Sequence, residues 1–62
     1  MTYQNTDPAS PFAIYAKQHE GLDFRLGPFA DLDYSRTQAD RMAARDREIL
    51  VVVDERTGRI VA

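Results

Sequence analysis

His19 is the only imidazole in the chain, and it stands beside Glu20 with Asp23 a few positions on. Such a set supplies a general base, or carboxylates for a cation. General-base chemistry also needs a nucleophile and an orienting group gathered in a cleft. Ser10 and Ser35 have no glycine elbow and no neighbouring base. Glu20 and Asp23 do not have the spacing of a calcium loop. With one histidine and no cysteine, histidine clusters, thiolate zinc sites and thiol nucleophiles are excluded together. Gly21, Gly27 and Gly58 are isolated, so they form no phosphate-cradling loop. The expectation is a chain with no catalytic residue, no cofactor and no metal, in which His19 is an exposed turn residue.

Arg36, Arg41 and Arg45 are the candidate cationic ridge, with Arg41 and Arg45 one helical turn apart. A ridge of this kind tracks phosphates. Asp33, Asp40, Asp46 and Glu48 interleave it, and the chain carries ten acids against eight lysines and arginines, for a net charge of −2. General nucleic-acid affinity rests on neutralising phosphate charge, so nucleic-acid binding is the secondary reading. A β-ribbon using Lys17 and Arg25 is another form of it. The acidic residues are themselves interrupted by arginines, which fits solubility charge better than phosphate mimicry.

The elements that would hold these residues come from the apolar pattern. Phe12 to Gln18 reads as a strand, His19-Glu20-Gly21 as a tight turn, and Leu22 to Leu26 as an alternating returning strand with Leu22, Phe24 and Leu26 inward. Gly27-Pro28-Phe29-Ala30 breaks that strand. Asp31 is a fair N-cap for a helix from Leu32 to Arg47, and Asp33 adds charge in the first turn. Leu32, Ser35, Ala39, Met42, Ala43 and Asp46 make one narrow stripe of small residues, suited to lying close against a sheet. Arg36 and Asp40 are spaced as an i,i+4 pair. Ile49 to Val53 is a β-branched run, Asp54-Glu55-Arg56-Thr57-Gly58 a turn, and Arg59 to Ala62 a returning strand.

The predicted architecture is α+β, in the order ββαββ: a four-stranded antiparallel sheet with one helix on one face. Positions 1–11, rich in Asn, Asp, Ser and Pro, read as a flexible lead-in, and 12–62 as a single small domain. A 62-residue domain buries only about 60% of its unfolded surface, so self-association or a larger partner is the expected staple. No apolar run approaches the roughly 20 residues of a membrane span, and the first residues lack a signal-peptide pattern. The cytoplasm is the expected location.

The strand from Ile49 to Val53 is apolar on both sides, and one helix covers only one face of a sheet. The uncovered face then carries Leu50 and Val52, or Ile49, Val51 and Val53 if the parity is reversed, with Tyr15, Lys17 and Arg25 nearby. An aliphatic strip flanked by an aromatic and charges has the makeup of an interaction surface, unless Tyr3, Phe12 or the lead-in folds over it. Tyr15, Lys17, Arg25, Leu50 and Val52 are therefore the candidate partner-binding residues.

Phe24-Arg25-Leu26-Gly27-Pro28-Phe29, followed by a helix and then Ile49-Leu50-Val51-Val52, resembles the repeat half of SPOR domains: a strand ending in a Gly-x-Phe turn, an Ala-rich helix, then a strand. The resemblance covers about half the chain and implies binding of glycan strands at the division septum. SPOR domains have two such helical halves where this chain has one helix, and Ser35 stands where the family usually has alanine, so the resemblance carries no binding residues over.

The leading expectation is a non-catalytic protein-binding protein that docks on a larger host protein or complex, or pairs first as a homodimer. Its size and class match accessory and inhibitor proteins of phages and other mobile elements, anti-CRISPR proteins among them, which block a host complex by surface contact.

Overall fold

The computed structural model describes residues 9–62. Its elements are β1 (Phe12–Gln18), β2 (Gly21–Phe29), α1 (Leu32–Asp46), β3 (Leu50–Asp54) and β4 (Arg59–Ile60). They form a four-stranded antiparallel sheet in the order β2-β1-β3-β4, with α1 packed on one face. This is the expected ββαββ architecture. Of the lead-in expected over 1–11, positions 1–8 lie outside the described residues. Pro11 is buried, and its carbonyl accepts from the Glu55 N–H at 2.7 Å.

β1 and β2 join through the two-residue turn His19-Glu20, closed by the pair Gln18↔Gly21. β2 then runs further than its sequence suggests, through Gly27 and Pro28 to Phe29. Proline has no N–H to donate, but β2 is an outer strand, where that loss is tolerated. Two register shifts accommodate the extra residues, one around Arg25 and one around Gly27-Pro28. The Gly27–Pro28 peptide is cis. Gly27 also lets the strands approach: a Cβ there would stand 3.1 Å from the Ala13 Cβ.

The helix begins where Asp31 caps it, its carboxylate accepting from the Tyr34 N–H at 2.7 Å. It ends one residue earlier than expected, because Arg47 turns into the left-handed region (φ 55°) and donates its N–H to the Ala43 carbonyl. Ser35 and Ala39 are the buried positions of the small-residue stripe. Ser35 satisfies its hydroxyl by donating to the Asp31 carbonyl at 2.6 Å. Among the described residues Arg36 and Asp40 make no ion pair; the pairs are Arg25–Glu48, Arg45–Asp46 and Arg56–Asp54.

The core lies between α1 and the sheet. Ile14, Ala39 and Val52 are its buried centre, and Phe12, Phe29, Leu32, Met42 and Leu50 surround them. Ile14 pairs with Val52 across β1 and β3. The β3–β4 turn is organised by Asp54, whose carboxylate accepts from the Arg56 N–H (2.9 Å), Nε (3.0 Å) and Nη2 (2.8 Å). Its carbonyl accepts from the Gly58 N–H at 2.7 Å, and Gly58 adopts a positive φ of 74° to make the return. β4 itself has two residues, but Val61 and Ala62 keep hydrogen bonds to Val52.

The expected cost of Ile14→Ala is about 2–5 kcal/mol, most or all of the roughly 3–5 kcal/mol that a core of this size supplies. The variant should lose its cooperative urea transition by circular dichroism; a transition kept at the wild-type midpoint would contradict this account of the core. Asp54 provides a second test. Hydrogen bonds from Arg56 hold its carboxyl below the usual value of 3.8. A carboxylate with a depressed folded pKa contributes stability that is complete above the unfolded pKa and lost as pH falls through the folded value. The melting temperature should therefore drop on acidification below about pH 4, and less steeply in Asp54→Asn.

Candidate interaction face

β3 is apolar on both sides, so its parity decides what the face away from the helix presents. Leu50 and Val52 point at α1, and Val52 is 1% exposed. This corrects the first assignment of those two residues to the uncovered face. The reversed parity holds, placing Val51 and Val53 on the side away from the helix. Ile14 is the physical reason: it faces α1 and pairs with Val52, and Ala16 pairs with Leu50 on the same side. A charge at Val52 would therefore test the core rather than an interface.

The face away from α1 is built in cross-strand rows. Ala13 pairs with Val53, which pairs in turn with Ile60. Tyr15 lies between Phe24 and Val51, and Lys17 opposite Leu22. The ladder continues one residue before β3, where the Lys17 N–H donates to the Ile49 carbonyl at 2.8 Å. By strand alternation Ile49 joins Val51 and Val53 on this face. The bulge at Arg25 splits the apparent Leu22-Phe24-Leu26 stripe: Leu22 and Phe24 fall on this face, and Leu26 opposite Ile14 on the helix side.

Burial changes from one end of the face to the other. Ala13 and Val53 are buried, Tyr15, Phe24 and Val51 half-buried, and Leu22, Lys17 and Ile49 exposed. The Tyr15 hydroxyl donates to Glu55 Oε1 at 2.6 Å. Along the strands Tyr15 and Glu55 flank the Ala13–Val53 pair, so ring and carboxylate arch over that pair, while Ile60, next in the row, stays 51% exposed. The Tyr15 ring also meets Phe24 edge-on, with centroids 5.8 Å apart. At the other end Ile49 is 70% exposed, and Leu22 39%.

The five candidate partner-binding residues thus separate. Tyr15 and Lys17 share the open face, while Leu50 and Val52 lie beneath the helix. Arg25 sits at the bulge and donates Nη2 and Nε to Glu48 at 2.8 and 3.2 Å, tying β2 to the segment after α1. That bond raises the Arg25 pKa and lowers that of Glu48. Leu22 and Ile49 were the residues not singled out as a pair. The signal for them was the tight His19-Glu20 turn, which fixes Lys17 opposite Leu22.

The helix arginines do not share one stripe. At about 100° per residue, Arg36 and Arg41 point about 140° apart, and Arg45 is engaged with Asp46 at 2.9 Å. His19 sits exposed in the turn, lining a shallow depression with Gln18, Glu20 and Asp23. Among the described residues no three His, Cys, Asp or Glu side chains are grouped to hold a metal ion, and no helix is long and apolar enough to cross a membrane. The Gly-x-Phe segment that carried the SPOR resemblance is continuous strand rather than a turn. Comparison with protein-family models, curated proteins and solved structures finds no match.

Tyr15→Phe should leave the fold intact and lower its stability by about 1 kcal/mol, the worth of one part-buried hydrogen bond. Urea denaturation with and without Glu55→Ala, which removes the acceptor, measures it, and the two substitutions should be non-additive because they remove the same contact.

Proposed function

We propose that this chain is a small non-catalytic protein-binding module that docks on a larger protein through the Leu22–Lys17–Ile49 end of its open sheet face. The observation that carries this reading is the exposure of Ile49, 70%, with Leu22 across Lys17 from it on the face away from the helix. Water contact with β-branched and aliphatic side chains is unfavourable by about 25 cal/mol per Å², and contact with a partner relieves it. The mode of action is steric, as in accessory or inhibitor proteins of mobile elements: the module occupies a surface that another molecule needs. The four-stranded sheet carries the patch at the end with the β1–β2 turn.

A photo-crosslinking amino acid at position 49, with a control at Thr37 on the solvent side of α1, tests the reading in cells that make the protein. The expected result is one discrete protein adduct from position 49, lost when Leu22→Asp is added. Equal labelling from both positions, or none from position 49, would refute it.

A further inference from the structure

The exposed end of the face contains a charge whose position narrows the partner's chemistry. Lys17 lies opposite Leu22 in the β1–β2 ladder and beside Ile49 in the β1–β3 ladder, so its ammonium rises between two exposed aliphatic side chains. Among the described residues that ammonium has no ion pair and no hydrogen-bond acceptor. The acids nearest in sequence, Glu20 and Asp23, do not pair with it. Glu55 is held by Tyr15 at the other end of the face.

Any surface that covers Leu22 and Ile49 also takes Lys17 out of water. An ammonium buried without a partner costs more than two partly exposed aliphatic side chains return. The lysine stem can bend to keep its head at the rim, and there too an opposing carboxylate is the complementary group. A second copy of the chain is the less complementary occupant when its axis falls on Lys17. A two-fold contact centred on Lys17 would set that ammonium against the same group of the other copy, whereas a carboxylate-bearing partner complements it.

We propose that the partner presents an Asp or Glu carboxylate flanked by aliphatic side chains, received by Lys17 between Leu22 and Ile49. This rests on the protein-binding reading above and specifies it.

A random dodecapeptide display library, selected on immobilised wild-type protein, is the probe. Selected peptides are then measured against Lys17→Glu and Ile49→Asp, both exposed positions, with folding checked by circular dichroism. The expected result is enrichment of an acid between aliphatic residues, with binding weakened about tenfold or more by Lys17→Glu and also by Ile49→Asp. Peptides without an acid, sensitive to Ile49→Asp but not to Lys17→Glu, would overturn the carboxylate proposal while leaving the docking face standing. Peptides indifferent to Ile49→Asp, or no enrichment at all, would overturn both. A wild-type dimer in sedimentation equilibrium that Ile49→Asp dissolves would assign the face to a second copy and overturn the carboxylate proposal.

Discussion

β1 is hydrogen-bonded along both edges, to β2 and to β3, and its residues are buried alternately toward the helix and toward the opposite face. A strand in that position must be apolar on both sides and small where neighbours crowd it. Phe12, Ile14 and Ala16 meet the helix side, where Ile14 is held between Val52 and Ala39. Ala13 gives the other side a low point, narrow enough for Gly27 to pass close by and for Tyr15 to lean across. The remaining elements are arranged around this strand, and their residue choices follow from its two faces.

The two faces are closed by different means. On one, a helix with Ser35 and Ala39 on its inner stripe comes close enough for Ile14 and Val52 to fill the space beneath it. On the other, a tyrosine and a glutamate whose positions differ by 40 in sequence cover the Ala13–Val53 pair with a hydrogen bond. The first is non-directional burial, which tolerates small adjustments of side-chain volume. The second depends on two polar atoms meeting at 2.6 Å. The Tyr15–Glu55 arch covers the Ala13–Val53 pair, while Ile49 and Leu22 at the end carrying the β1–β2 turn, and Ile60 on β4, keep apolar surface exposed.

Much of this was legible in the sequence, and the misses have physical causes. The helix, its Asp31 cap and its small-residue stripe follow from local periodicity and capping chemistry, which do not depend on distant partners. Both hairpin turns are likewise local. The parity of β3 was not legible, because Leu50-Val51-Val52-Val53 is equally apolar whichever way it faces; only the pairing of Ile14 with Val52 decides it. β2 misled for a related reason. Leu22, Phe24 and Leu26 alternate cleanly, but alternation assumes an unbroken pleat, and the bulge at Arg25 moves Leu26 to the helix side. Gly27-Pro28 is a stop signal by composition, yet an outer strand needs fewer donors than an inner one. Contacts such as Arg25–Glu48 and Tyr15–Glu55 join residues far apart in the chain, and no local pattern announces them.

The order of strands also sets the order in which the molecule can assemble. β2 and β3 both run antiparallel to β1, so α1 carries the chain over the first strand to deliver β3 to its far edge. Phe12 meets Asp54, and the pairs converge through Ala13 with Val53 to Ala16 with Leu50. β1 is thus completed by β3 from beyond the helix, and its second edge stays unpaired until β3 docks. Without β3 the inner edge of β1 keeps a row of unpaired N–H and C=O groups, so the sheet is complete only with both halves of the chain in place.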